Sequence, residues 1–244
     1  MLGNRESYFE ALDEVKNICK VKFGDKVCSV YVGGSVARGD FVPGRSDIDL
    51  YVVLKSNKVQ HKIQMELEKI KSKEKPISVA YTTKKEVIGG QSFLGSGFEY
   101  NNFIREGKLI YGQEIKERIP KPTREEEIKT ADQCLKFFEA NYKDYEEEVI
   151  GRYFSATFRT FCIVLSGKGI YVSSKKDVVT VCNKRFKARK LLNEKINVIY
   201  DLWLTWGREK LTQQQVCTLI KACDDIMPLI FDLWESKELN LEPL

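Results

Sequence analysis

Histidine is almost absent: His61 is the single one in 244 residues. A Cys-His-Asp arrangement away from His61 and a His-rich metal site are therefore excluded. His61 itself falls in a polar stretch of an expected helix, where solvent is its natural neighbour. The seven cysteines contain no CxxC pair. An odd count without that spacing is neither a disulfide framework nor a zinc knuckle, and it reads as reduced, mostly buried thiols of a cytoplasmic protein. No apolar run approaches the length of a membrane span, and the opening MLGNRESYFEALDEV lacks an apolar core of signal-peptide type. A cytosolic location and no membrane partner are expected. Charge of either sign is in little excess: 40 Lys and Arg stand against 35 Asp and Glu, a net +5. That is too weak to imply nucleic acid by itself, and nucleic acid is not the expected partner. The familiar phosphate motifs are missing too. Gly34 and Gly39 have GxxxxG spacing, but Asp40-Phe41 stands where a P-loop needs Lys-Ser/Thr, and no GxGxxG opens a helix here.

What is present centres on Val30 to Leu54, VYVGGSVARGDFVPGRSDIDLYVVL. An apolar strand stops at Gly33-Gly34-Ser35, a polar loop broken by Gly39, Pro43 and Gly44 follows, and a second strand carries Asp47 and Asp49 with Ile48 between them. Side chains two apart on a strand share a face, roughly 7 Å apart along it. Asp47 and Asp49 are thus expected to face outward while Ile48 and Leu50 anchor a core. Two carboxylates on a rigid strand suit Mg²⁺, which takes oxygen ligands and shares its shell with substrate phosphates. Glycines let backbone N–H groups approach a phosphate, and a helix opening there favours negative charge.

This pattern of hydrophobic-Gly-Gly/Ser, a loop of about ten residues and Asp-hydrophobic-Asp resembles the nucleotidyltransferase superfamily of DNA polymerase beta-like enzymes. The residues that carry it are Val32, Gly34, Ser35, Asp47, Ile48 and Asp49. The resemblance implies transfer of a nucleoside monophosphate from a nucleoside triphosphate, with Mg²⁺ held by Asp47 and Asp49 and with Gly34, Ser35 and Ser46 contacting the triphosphate.

The remainder of the chain fits around that stretch. Tyr8, Leu12, Val15 and Cys19 mark an amphipathic helix over 4–20; Val27–Val32 and Ile48–Leu54 read as strands; Val59, Ile63, Leu67 and Ile70 recur at helical intervals; Ile77–Tyr81 and Glu106–Gly112 read as further short strands. The Gly-rich aromatic run Phe93–Phe103 gives no assignment. Pro120-Lys-Pro122 cannot continue a helix, whereas Thr123-Arg-Glu-Glu126 is a capping box that starts one. Beyond it, segments near 124–146, 151–166, 174–189, 191–206 and 212–236 each carry an apolar stripe, with Thr212–Gln215 a second capping box. The expected fold is α+β: a small nucleotidyltransferase-fold mixed sheet with helices over 1–120, then an all-α helical bundle over 121–244 that closes the nucleotide cleft.

The helical half looks like the C-terminal domain of streptomycin/spectinomycin (aminoglycoside) adenylyltransferases, through Arg159, Gly167-Lys168 and Lys176-Asp177. That resemblance implies that Arg159 and Lys176 reach ATP phosphates, with Lys175 a rival for the second role because the loop from Gly169 to Lys175 is longer here. The run Lys184–Lys190 is a further basic cluster, compatible with polyphosphate or nucleic acid but read more simply as a solvated face.

One element of the resemblance is missing. A third carboxylate on a later strand is expected, and Ser78 stands at its position. A serine does not ionise near neutral pH and cannot replace a carboxylate ligand. Glu74, Glu99, Glu139 or Glu146 substitutes, or activity is reduced. The expectation is an adenylyltransferase that uses ATP and Mg²⁺ on a hydroxyl of a small molecule or protein. The alternatives are a non-catalytic nucleotide-binding regulatory protein, motivated by Ser78, and tRNA- or template-directed nucleotide addition, motivated by the run 184–190.

Overall fold

A computed structural model of the chain describes residues 4–70, 76–90, 97–141 and 150–236, and their side chains except those of 97–101 and 137–141. The chain divides into two compact units, 1–122 and 123–244. In the first, α1 (Arg5–Ile18) leads through a π-helical turn, Cys19–Phe23, into β1 (Val27–Val32). Asn4 caps α1 by accepting from Glu6 N–H, and Tyr8, Ala11, Val15 and Ile18 form its buried stripe. The short α2 (Gly34–Arg38), β2 (Ile48–Leu54), α3 (Gln60–Glu68), β3 (Ile77–Thr83), α4 (Lys84–Ile88), α5 (Gly97–Glu106) and β4 (Lys108–Gly112) follow.

Among the described residues these strands make one mixed sheet in the order β3-β2-β1-β4. β1 runs antiparallel to β2 and β4, whereas β2 and β3 are parallel, joined through α3 as a parallel pair requires. β1 and β2 are the inner strands and bury nearly every side chain. One face, with Val30, Val32, Ile48, Leu50, Val52 and Leu54, packs on α1 and α3. The other, with Tyr31, Tyr51 and Val53, packs on Val87 of α4 and Phe103 of α5. Two buried faces explain why β2 reads as a continuous apolar run rather than an alternation. Helix α5 accounts for part of the run that gave no assignment in the sequence; residues 91–96 lie outside the described residues.

The second unit holds α6 (Arg124–Asn141), α7 (Ile150–Gly167), α8 (Lys175–Arg185), α9 (Lys190–Trp206) and α10 (Gln213–Glu235). The expected extension of the first of these beyond Asn141 lies outside the described residues. Thr123 and Glu126 exchange hydrogen bonds as a capping box, and Thr212 and Gln215 do the same for α10. Helix α7 is the central one. It is apolar over most of its surface and packs against α6, α8 and α10, while α9 packs against α8 and α10. Its two buried threonines are satisfied: Thr157 donates to Cys223 Sγ at 3.3 Å and Thr160 to the Ala156 carbonyl at 2.7 Å.

Cys19, Cys28, Cys162, Cys182 and Cys223 are buried. Burial pushes the Cys19, Cys182 and Cys223 thiols up to about 12, which leaves them protonated and unreactive. His61 is exposed on α3. Among the described residues no helix is long and apolar enough to cross a membrane. Leu50 is almost wholly buried behind the Asp-Ile-Asp stretch. Leu50→Ala is expected to cost about 2–5 kcal/mol, read as a lowered midpoint of chemical denaturation.

Candidate active site

The first unit brings Gly34, Ser35, Ser46, Asp47 and Asp49 to one end of the sheet. β1 and β2 are antiparallel, so the end of β1 meets the start of β2, and Gly33 N–H donates to the Asp49 carbonyl at 2.8 Å as the last rung of their ladder. Each glycine answers to one side chain of β2. A Cβ on Gly33 would collide with the Tyr51 ring, and a Cβ on Gly34 with the Asp49 carboxylate. Gly34 also has φ +56°, left-handed backbone that an L side chain adopts only with strain. The pair is therefore a steric requirement of Tyr51 and Asp49. Ser35 follows in the first turn of α2, where its carbonyl accepts from Gly39 and Asp40 N–H at 2.9 and 3.1 Å.

β2 begins at Ile48, so Asp47 stands just ahead of the strand instead of within it. Its position is set by the loop before it, and that loop is clamped by α1. The buried Tyr8 hydroxyl donates to the Ser46 carbonyl at 2.6 Å and accepts from Gly44 N–H at 3.1 Å. Arg5 donates to the Gly39 carbonyl at 2.9 Å, with its guanidinium 4.4 Å from the centre of the Phe41 ring. The Tyr8 and Phe41 rings lie 4.8 Å apart. Burial, then the nearby Asp47 charge, raise the Tyr8 phenol above its ordinary value, and the Gly44 hydrogen bond partly opposes them. Ser46 closes the loop by accepting from Val42 N–H at 3.0 Å. A hydroxyl that accepts one bond keeps its own hydrogen to donate. On the far side of α2, Arg38 pairs with Glu106 of α5 at 2.8 Å.

Asp47 and Asp49 are both partly exposed. Ser78 joins them from β3: it is the parallel register partner of Asp49, and its Oγ donates to Asp47 Oδ2 at 3.0 Å. Ser78 is exposed and lines a cavity of about 530 Å³ between α3 and β3, with Gln60, Gln64, Glu68 and Tyr81. Two carboxylates of this kind fit Mg²⁺, which commonly takes one or two from the protein and completes its shell with water and substrate phosphates. Among the described residues no third His, Cys, Asp or Glu joins them. The side chains of Glu74, Glu99, Glu139 and Glu146 lie outside the described residues.

In the second unit, Arg159 is exposed on α7 and Lys176 on the first turn of α8. Lys175 is half-buried, its ammonium 4.9 Å from the Trp203 ring centre and 5.8 Å from that of Phe158. Gly167-Lys168 is structural. A Cβ on Gly167 would strike Trp234 and Ala131, while Lys168 donates to the Ser236 carbonyl at 2.6 Å and has its ammonium's basicity lowered by burial. The basic run 184–190 crosses the break between α8 and α9, where Phe186 is buried and Arg189 pairs with Asp232 at 2.6 Å.

Sequence reasoning missed Tyr8, Arg5 and Arg38. The partners of Tyr8 and Arg5 are backbone atoms more than thirty residues away along the chain, and Arg38 pairs with both the nearby Asp40 and the distant Glu106, so none of them leaves a local motif.

Residues 12–107, within the first unit, match the family model described as a nucleotidyltransferase domain. Among solved structures the chain is similar to spectinomycin adenyltransferase AAD(9) from Enterococcus faecialis, determined with ATP and spectinomycin. The TM-score is 0.62 at 13% identity, over 92% of this chain and 99% of that one. At that identity the likeness shows a shared fold. No curated protein matches this chain in sequence.

Two expected outcomes follow from this geometry. Gly34→Ala sets a side chain against the Asp49 carboxylate in left-handed backbone, so stability falls by about 1–2 kcal/mol in a urea melt, while far-ultraviolet circular dichroism stays that of the parent. Tyr8→Phe removes the acceptor of the partly buried Gly44 N–H and the donor to the Ser46 carbonyl, so stability falls by about 0.5–1.5 kcal/mol in a urea melt.

Proposed function

We propose that this protein is a Mg²⁺-dependent adenylyltransferase that moves AMP from ATP to a hydroxyl of a small molecule or protein. The observation that carries the reading is the seating of Asp49 against Gly34 and of Asp47 beside it, on a segment that matches a nucleotidyltransferase domain. Asp47 and Asp49 would hold the metal, whose chemistry is to neutralise charge developing on the transferred phosphoryl group. Gly34 leaves backbone uncovered for the triphosphate, and Ser35 and Ser46 offer hydroxyls to it. To Arg159 and Lys176 we assign neutralisation of the phosphates. Lys176 is preferred to Lys175 because Lys175 already packs on Trp203 and Phe158. Positioning and electrostatics dominate this kind of transfer, so the role of the chain is chiefly to align ATP and acceptor. The cytosol, where ATP and free Mg²⁺ are available, is the proposed location.

Ser78 favours a second reading, a nucleotide-binding regulatory protein without turnover. Its hydroxyl stands against Asp47 where the resemblance calls for a carboxylate.

Pyrophosphate release from ATP and Mg²⁺, with spectinomycin and then other hydroxyl compounds as acceptors, separates the two. Transfer is expected, and Asp47→Asn or Asp49→Asn lowers it by on the order of 10²–10³-fold or more. Arg159→Ala and Lys176→Ala raise the KM for ATP with the fold intact. Tight Mg-ATP binding with no pyrophosphate from any acceptor would establish the regulatory reading, and equal turnover in both Asp variants would remove the metal assignment.

A further inference from the structure

Ser78 is a hydroxyl that the chain itself holds at the site of nucleotidyl transfer. The parallel ladder of β2 and β3 sets its backbone opposite Asp49, and its Oγ lies 3.0 Å from Asp47 Oδ2, already donating its hydrogen to that carboxylate. It is exposed, so its oxygen is open to an incoming group. An alcohol oxygen next to the two carboxylates that would hold Mg-ATP is chemically the same kind of group as the acceptor proposed above. Being fixed on a strand, it also has no translational entropy to lose before reaction.

We propose that Ser78 is a self-modification site: in the absence of an external acceptor the protein adenylylates its own Ser78. This rests on the nucleotidyl-transfer reading of the site. In the step, a bond forms between Ser78 Oγ and the α-phosphorus of ATP, and the bond from that phosphorus to the bridging oxygen of the β-phosphate breaks. Pyrophosphate leaves with that oxygen, the serine proton is lost to water, and nothing is oxidised or reduced. The product is a phosphodiester that removes the hydrogen bond to Asp47 and adds a negative charge beside Asp47 and Asp49. The modified chain is therefore closed to a second nucleotide, and the reaction stops at one AMP per chain.

The test uses the full chain with ATP labelled at the α-phosphate, MgCl₂ and no acceptor, followed by denaturing washes, intact-mass measurement and peptide mapping. Calorimetry of Mg-ATP binding is run on the same preparation. One AMP is expected per chain, on the peptide containing Ser78. The label should be lost in Ser78→Ala and kept in Ser78→Thr, with circular dichroism showing both variants folded. Label on another residue, or label that persists in Ser78→Ala, overturns the proposal. An unlabelled chain that binds Mg-ATP overturns it while leaving the nucleotidyl-transfer reading standing. A chain that binds no Mg-ATP at all overturns both.

Discussion

The first unit depends on a carboxylate occupying the space that a side chain on Gly34 would otherwise fill. Asp49 must come from an inner strand to be rigid, and an inner strand of this sheet is buried on both faces except at its end. An ionised group tolerates only that end, because full burial of an unpaired charge is prohibitive. The glycine pair, the sharp turn out of β1 and the short α2 all follow from letting the chain pass over that end without covering it. The apolar anchors Ile48 and Leu50, in the α1/α3 core, keep the strand from sliding. A slip of one residue would turn Asp49 into that core, since side chains alternate along a strand.

Much of this was legible in the chain itself. β1 and β2 run over Val27–Val32 and Ile48–Leu54 as their apolar runs suggest, because inner strands sandwiched by helices cannot afford polar interruptions. The helix starts at Thr123 and Thr212 were legible because a capping box is purely local chemistry. The carboxylate pair at the sheet end was legible for the same reason: type, order and spacing all lie within about twenty residues. What could not be read lay in contacts across the chain. The Tyr8 hydroxyl meets Gly44 and Ser46, and Arg38 meets Glu106, each pairing a residue of no special type with a distant one. Which of Lys175 and Lys176 rests on Trp203 also needed the fold, because adjacent helical positions face different surroundings.

The two units handle charge differently. The first concentrates partly exposed acids at one sheet end and balances others locally, as Arg38 does for Glu106. The second leaves Arg159 and Lys176 toward solvent, while Arg124 donates to the Ser166 and Gly167 carbonyls at the end of α7. A cation at a helix C-terminus stabilises the exposed carbonyls there, so that arginine serves the fold. The small net charge of the chain conceals this division.

The clamp on the loop before Asp47 has a consequence for how this protein can change. Tyr8 and Arg5 grip the loop through backbone atoms: the Ser46 and Gly39 carbonyls and the Gly44 amide. None of these three contacts reads the identity of the side chain at its far end. Positions such as Val42 and Pro43 can therefore drift, and with them whatever the loop presents to a bound molecule, while Asp47 stays where it is. Apart from Phe41, whose ring packs on Tyr8 and Arg5, the loop is free to specialise because its anchor does not read it.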